Sequence, residues 1–289
     1  MEIIIAQNTG LCYGVKRALR IVHETRRRRE GRVSTLGDLI HNPQVIEDLR
    51  QKGIEAAGEL NEIQEGTVVI RSHGVSPEVY GTLRKRDLEI VDATCPIVKR
   101  IQKLVARLAK EGLEIVIVGD PEHPEIKGLI GYSRDHGRIV AGEDEAARLP
   151  RRKTRAVLAQ STQDLFLFER VTGALIEKTA ELQVYNTICQ STQVRQRATS
   201  ELAAKVDVLF IVGGRTSSNT RKLYEISRRI LPRTYFIENA DQIKPRMLHG
   251  AQTIGISGGA STPPEAIEAA VAKIQRTFEQ HHLEESRPQ

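Results

Sequence analysis

Short apolar runs alternate with amphipathic stretches along the whole chain, and the alternation repeats three times. The runs at 3–6, 67–70, 114–118, 156–158, 208–212 and 253–256 are mostly continuous and rich in Val and Ile, and 184–188 reads as a further strand leading to Cys189. Unbroken runs of this kind predict strands buried on both faces, the pattern of parallel sheets covered by helices. Weaker strand runs fall at 32–36, near Ile54, at 90–91, 139–140 and 235–237. Between them apolar residues recur at helical spacing: Val15, Ala18, Leu19 and Val22; Val45, Ile46 and Leu49; Ile97, Ile101, Leu104 and Leu108; Ile126, Leu129 and Ile130; Val194, Ala198 and Leu202. Helix starts are marked by Ser76-Pro77-Glu78, by Pro96, by Ser191-Thr192 and by Ser217-Ser218-Asn219. The expected fold is α/β, with three pseudo-repeated lobes. We place lobe one at 13–95, lobe two at 96–185 and lobe three at 186–280 together with the N-terminal strand segment 1–12. Residues 281–289 read as a polar tail without order of its own.

The repeat carries one cysteine per lobe, always at the same place. Cys12, Cys95 and Cys189 each follow an apolar run and precede a helical pattern. Each is followed, about 25 residues on, by a strand ending in glycine: Gly37, Gly119 and Gly213. A polar side chain follows each glycine on a loop: His41, His123 and Ser217. In open α/β sheets, ligands bind at the carboxyl ends of strands, where all these residues fall.

Composition narrows the partners. The chain has 289 residues, 39% of them hydrophobic, enough for sizeable cores. It starts directly in a strand-like run, without the basic start and long apolar core of a signal peptide, and no run approaches the ~20 residues needed to span a bilayer. The expectation is a cytoplasmic protein with reduced thiols and no membrane segment. Net charge is +6, concentrated in runs such as Arg26-Arg27-Arg28-Arg29. Only 4% of residues are aromatic and there is no Trp, which argues against a nucleic-acid stripe. Solvated helix ends account for the runs, and the positive field suits a small anionic substrate. A non-catalytic RNA-binding protein using the arginine runs would instead show steep salt-dependent affinity and no oxygen-sensitive chromophore.

Three cysteines cannot all pair in disulfides within one chain, and no C-x-x-C pair suggests structural zinc. Soft thiolates at helix starts suit zinc or an iron–sulfur cluster. Electron-carrier clusters use four cysteines; three leave one iron open to substrate, which points to an iron–sulfur catalyst. His41, His73, His123, Ser217, Asn219 and Ser261, all on loops at strand ends, form a candidate anion pocket. Glu125 is the leading proton donor, with the Thr162 hydroxyl as relay. The chain lacks GxxxxGK[ST] and a well-placed GxGxxG, so a nucleotide site is not expected.

Several segments carry a resemblance: Thr9-Gly10-Leu11-Cys12-Tyr13-Gly14-Val15, Leu39-Ile40-His41-Asn42, Arg71-Ser72-His73-Gly74, Asp92-Ala93-Thr94-Cys95-Pro96, His123-Pro124-Glu125, Gln160-Ser161-Thr162, Ile188-Cys189, Ser217-Ser218-Asn219 and Gly259-Ala260-Ser261-Thr262-Pro263. With these the chain resembles the LytB family of 4-hydroxy-3-methylbut-2-enyl diphosphate reductases over essentially its whole length. The resemblance implies a three-lobed cloverleaf around a [4Fe–4S] cluster held by Cys12, Cys95 and Cys189, with the apical iron open to the substrate's allylic hydroxyl. It implies that His41, His73, His123, Ser217, Ser218, Asn219 and Ser261 hold the diphosphate. Glu125, with Thr162 beside it, would deliver protons, and ferredoxin or flavodoxin would deliver electrons. The products would be isopentenyl and dimethylallyl diphosphates, the last step of the methylerythritol phosphate pathway. Tyr13 stands where many relatives have Ala or Phe, and Ser161 where many have Thr. The alternative is a three-lobed [4Fe–4S] lyase of the quinolinate synthase type, which would need no external electrons.

Overall fold

The structure, a computed structural model, describes residues 1–285. The chain opens with β1 (Glu2–Ile5), α1 (Tyr13–Arg28), β2 (Val33–Leu36), α2 (Pro43–Gln51), β3 (Ile54–Ala57), β4 (Thr67–Ile70), α3 (Pro77–Arg84) and β5 (Glu89–Asp92). It continues with α4 (Pro96–Lys110), β6 (Glu114–Val118), α5 (Pro124–Tyr132), β7 (Gly137–Val140), α6 (Glu143–Ala147), β8 (Arg152–Ala159), α7 (Leu165–Ile176) and β9 (Thr179–Tyr185). The last stretch holds α8 (Gln190–Ala203), β10 (Val208–Val212), α9 (Ser218–Ile230), β11 (Thr234–Ile237), α10 (Pro245–Leu248), β12 (Thr253–Gly258) and α11 (Pro264–Glu285).

These strands build three four-stranded sheets, ordered β3-β2-β4-β5, β7-β6-β8-β9 and β11-β10-β12-β1. Every strand pair is parallel. The three orders correspond position by position. In each, chain direction across the sheet reverses between the two inner strands, the switch point where α/β proteins bind ligands. The chain packs as two compact units. One comprises residues 1–12, 41–43 and the described residues from 190 on, and contains the sheet of β1, β10, β11 and β12. The other comprises residues 13–40 and 44–189 and contains the remaining two sheets. Boundaries between the units fall at Cys12, His41 and Cys189.

Both faces of the central strands are covered, which is why their sequences are apolar without interruption. In β6, Ile115 and Ile117 pack with Ile101 and Leu108 of α4 and Ile126 and Leu129 of α5. Val116 and Val118 point the other way, onto Ala146 of α6 and Phe168, Val171 and Leu175 of α7. β10 does the same, with Phe210 facing Ile267 and Ile274 of α11, and Leu209 and Ile211 facing Leu202 and Leu223 of α8 and α9. Each such side chain contributes roughly 1.5–3 kcal/mol on burial.

Several elements differ from the sequence reading. The strand expected at 184–188 is β9, displaced toward the N-terminus. β9 is an edge strand with four of its seven residues exposed, so it lacks the apolar run that marks the inner strands. Helix α7 was not foreseen. In α4 the buried stripe includes Val98, Gln102, Val105 and Ala109 beside Ile101 and Leu108, while Ile97 and Leu104 are only half-buried. In α8 the inward face is mostly polar: Thr192, Arg195, Gln196 and Thr199 are buried with Leu202, and Val194 is exposed. Residues 281–285 extend α11 rather than forming a tail, since an established helix adds residues at little cost. Residues 286–289 lie outside the described residues.

Candidate active site

The three cysteines share one local geometry. Each lies between an edge strand (β1, β5 or β9) and the helix that follows it (α1, α4 or α8). Each backbone N–H donates to a carbonyl just past the adjacent inner strand, prolonging the parallel ladder by one link. Cys12 N–H reaches Ala260 O at 3.0 Å, Cys95 N–H reaches Ser72 O at 2.9 Å and Cys189 N–H reaches Ser161 O at 2.9 Å. The thiols are half-buried and in no disulfide. Pro96 occupies the first position of α4 directly after Cys95, where its missing N–H leaves no hydrogen bond unmade.

Within the larger unit, a chain of contacts runs from Cys189 to Cys95. Ser161, whose carbonyl receives the Cys189 N–H, also donates to Glu125 twice: its N–H to Oε1 at 2.7 Å and its hydroxyl to Oε2 at 2.6 Å. Glu125 is buried at 2% exposure. Burial pushes its carboxyl above the ordinary value, and the two Ser161 bonds only partly offset that. The Glu125 N–H donates to Nδ1 of His123, which caps α5 at 3.1 Å. With Nδ1 used as this acceptor, Nε2 is the ring atom left to face a ligand. The His123 ring meets His73 edge-on, with centroids 5.2 Å apart. His73 follows Ser72, the residue that receives the Cys95 N–H. The hydroxyl bonded to Glu125 is that of Ser161. Thr162 Oγ1 accepts from the side-chain amide of Gln160 at 3.0 Å.

The smaller unit gathers Cys12, His41, Ser217, Ser218, Asn219 and Ser261. Ser217 caps α9, its Oγ accepting from Thr220 N at 3.4 Å. Ser261 Oγ donates to the His41 carbonyl at 3.0 Å and lies 3.4 Å from Ser217 Oγ. Ala260 accepts the Cys12 N–H and donates its own N–H to Asn219 Oδ1 at 3.0 Å. Gly214 lets this loop pass directly against His41: a Cβ there would lie 2.7 Å from the His41 oxygen. Asn219 is 3% exposed, and its Nδ2 has no acceptor among the described residues. A buried amide donor beside the first turn of α9, with serine hydroxyls around it, is set to receive an anion's oxygen.

The residues singled out from sequence fall at these strand ends and helix starts. Sequence reasoning missed Ser161 as the partner of Glu125, and it missed two arginines. Arg17 Nη1 donates to Thr94 O at 3.1 Å, and Arg195 Nη2 donates to Gly10 O at 2.7 Å. Only a polar residue on the buried face of a helix could have signalled Arg195, and the spacing of α8 concealed that face.

Comparison with known proteins follows the same lines. A sequence profile of the family described as LytB protein matches residues 3–275. The 4-hydroxy-3-methylbut-2-enyl diphosphate reductase of Geobacter metallireducens is 41% identical over 275 residues, 95% of this chain and 97% of that protein. The protein of the same name from Aquifex aeolicus is 42% identical over 284 residues, 96% of this chain and 98% of its own. A solved structure described as (E)-4-hydroxy-3-methyl-but-2-enyl diphosphate reductase, the terminal enzyme of the non-mevalonate pathway, is 40% identical with a TM-score of 0.70, over 96% of this chain and 100% of that one. The E-1-hydroxy-2-methyl-but-2-enyl-4-diphosphate reductase of Plasmodium falciparum is 25% identical with a TM-score of 0.90, over 94% of this chain and 87% of that one.

Proposed function

We infer the activity of this chain from one premise: it belongs to the LytB protein family. It is an oxidoreductase that reductively removes the hydroxyl of (E)-4-hydroxy-3-methylbut-2-enyl diphosphate, yielding isopentenyl and dimethylallyl diphosphates. The balance is two electrons and two protons in, one C–O bond broken, one C–H bond formed and one water released. Family membership sets the quinolinate synthase alternative aside, since that lyase consumes no external electrons.

The family's enzymes are iron–sulfur proteins, and the donor set here fits such a group. Three thiols outside any disulfide share one backbone geometry, each at the start of a helix. Cys12, Cys95 and Cys189 would hold three irons of a [4Fe–4S] cluster, leaving the fourth open. When bound, the cluster supplies electrons singly and a Lewis-acid iron for the departing oxygen. The rest falls to side chains. Asn219 Nδ2, the hydroxyls of Ser217, Ser218 and Ser261, and the imidazoles of His41, His73 and His123 would bind the diphosphate. Anchoring the charged end fixes the reacting carbon and removes much of the entropic cost of reaction. Glu125, whose carboxyl is pushed upward by burial, donates the proton, and the Ser161 hydroxyl carries it in place of the Thr162 relay expected from sequence.

One observation carries this reading. Ser161 bonds the buried acid Glu125 through its N–H and hydroxyl, and bonds the Cys189 N–H through its carbonyl. The proton source and a cluster ligand are thus tied to a single residue. The electron donor is a small redox protein, ferredoxin or flavodoxin, and the working compartment is the cytoplasm. No helix among the described residues is long and apolar enough to cross a membrane.

The test is anaerobic loading with iron and sulfide, then addition of a low-potential reductant and the hydroxylated diphosphate. Substrate-dependent oxidation of the reductant with release of both isomers is expected. Loading without reductant consumption would overturn the reading.

A further inference from the structure

We propose that Arg17 and Arg195 are positioning residues that pre-set the loops of Cys95 and Cys12 for the cluster. The proposal rests on the reading of the cysteines as cluster ligands. Neither arginine is on a predicted binding loop, and the activity outlined above gives neither a task.

Arg17 lies on α1, the helix that starts directly after Cys12. Its Nη1 donates to the carbonyl of Thr94 at 3.1 Å. That oxygen belongs to the Thr94–Cys95 peptide, whose N–H donates to Ser72 O at 2.9 Å. The peptide attached to Cys95 is therefore held at both ends of its plane. One residue earlier, the Thr94 N–H donates to Asp92 Oδ1 at 2.9 Å. Asp92 is held in turn by the Tyr80 hydroxyl at 2.7 Å and Lys99 Nζ at 2.6 Å. With consecutive peptides fixed, only the side-chain torsion of Cys95 remains to place its sulfur.

Arg195 does the equivalent for Cys12. It lies on α8, the helix that starts directly after Cys189, and is 3% exposed. Nη2 donates to Gly10 O at 2.7 Å, while Nη1 reaches Ser191 O at 3.3 Å and Ser191 Oγ at 3.2 Å. Gly10 has φ +97°, a left-handed conformation that only glycine adopts without strain. The next peptide, Leu11–Cys12, supplies the Cys12 N–H that bonds Ala260 O. In both cases an arginine from the helix behind one cysteine grasps the loop of a different cysteine. A buried guanidinium is costly unless its donors are used, and here Nη2 is spent on the backbone leading to Cys12 and Nη1 on Ser191.

The two clasps differ in how they depend on the guanidinium. Arg17 uses one nitrogen on the Thr94 carbonyl, a bond that a lysine ammonium can replace. Arg195 spans two separate partners with two nitrogens of a rigid fork, which lysine cannot reproduce.

The test uses the full chain as Arg17→Gln, Arg17→Lys and Arg195→Lys, loaded anaerobically with iron and sulfide. Cluster loss to an added chelator is followed by visible absorbance. Reduced-state electron paramagnetic resonance and the thermal midpoint of the cluster-free protein are recorded in parallel. We expect Arg17→Gln and Arg195→Lys to lose the cluster about tenfold faster than wild type, the scale of one charge-assisted hydrogen bond. Arg17→Lys should stay within about twofold of wild type and keep its resonance line shape, which Arg17→Gln should change. Cluster-free midpoints should stay within about 3 °C of wild type, less than one such bond would shift a domain of this size if its role were general stability. Loss at the wild-type rate in both Arg17→Gln and Arg195→Lys would overturn the proposal. So would losses that merely follow lowered cluster-free midpoints, or an Arg17→Lys no better than Arg17→Gln. If Arg195→Lys fails to fold, the Arg17 pair decides. A wild-type chain that takes up no iron and sulfide would instead sink the cysteine assignment, and the clasp with it.

Discussion

Replacing Ser161 by Ala removes the hydroxyl that donates to Glu125 Oε2 at 2.6 Å and leaves the backbone N–H bond at 2.7 Å in place. A hydrogen bond to a charged acceptor contributes about 1.5–3 kcal/mol, and one to a neutral acid about 1 kcal/mol. The hydroxyl thus favours the ionised form by a net of about 0.5–2 kcal/mol, or roughly twofold to thirtyfold in the protonation equilibrium. The sign is fixed by role. In the role proposed for it, Glu125 donates a proton only while it holds one, so kcat/KM is expected to fall as pH rises through its pKa. Burial already raises that pKa, and the Ser161 bonds pull it back. Deleting the hydroxyl moves the alkaline limb of the profile to higher pH by roughly twofold to thirtyfold in proton concentration. Under the proposed relay through this hydroxyl, the plateau falls by roughly 10². The assay is substrate reduction across the neutral and alkaline range with a viologen dye as reductant, whose one-electron potential does not vary with pH. Ser161→Thr should restore both limb and plateau. An alkaline limb that stays in place in Ser161→Ala, or moves to lower pH, would refute the assignment of Glu125 as the titrating donor.

Other outcomes follow from single contacts. Cys95→Ser should abolish the brown absorbance of anaerobically loaded protein; full absorbance with full activity would remove Cys95 from the ligand set. Glu125→Gln should retain cluster and substrate binding while turnover drops by roughly 10² or more, and its remaining activity should show no alkaline limb from this group. The same carboxyl has a folded-state pKa above its unfolded value, so the stability it confers is complete in acid and is lost as pH rises through the folded value; melting curves at fixed ionic strength will show that slope flatten in Glu125→Gln. Asn219→Ala deletes the buried Nδ2 donor and should raise KM about tenfold or more with little loss of kcat, as inhibition by inorganic diphosphate should also weaken. Arg155 is fully buried, paired with Glu114 and bonded to Thr179 Oγ1 at 3.2 Å, so Arg155→Met should cost about 3 kcal/mol in denaturant unfolding.

Most of the architecture was legible because parallel sheets under helices leave an unmistakable pattern. β6 and β10 carry apolar side chains toward both faces, and their hydropathy cannot be read as anything but buried strand or helix core. β9 was misplaced because an edge strand with exposed residues owes its position to pairing with β8, a nonlocal fact. α8 was placed correctly but turned wrongly, since its inward face consists of Thr192, Arg195, Gln196 and Thr199, whose burial depends on partners distant in sequence. The site divides in the same way. Cys12, Cys95 and Cys189 were visible through the repeat, because three equivalent positions carry the same rare residue. The choice between neighbouring hydroxyls at 161 and 162 was not visible, because both belong to one polar stretch and only the turn after β8 determines which faces the acid.

The pairing of β1 with β12 imposes an order of events during synthesis. Glu2 aligns with Thr253 and Ile5 with Ile256, and the peptide of Cys12 is held by Ala260. A ribosome adding about 5–20 residues per second therefore leaves the first strand without its neighbour for roughly 10–50 s. The two sheets of residues 33–185 can close long before that, each from strands already emerged. The thiol nearest the amino terminus is thus among the first to leave the tunnel and the last to be seated, so the role proposed for Cys12 has to wait until translation is nearly finished.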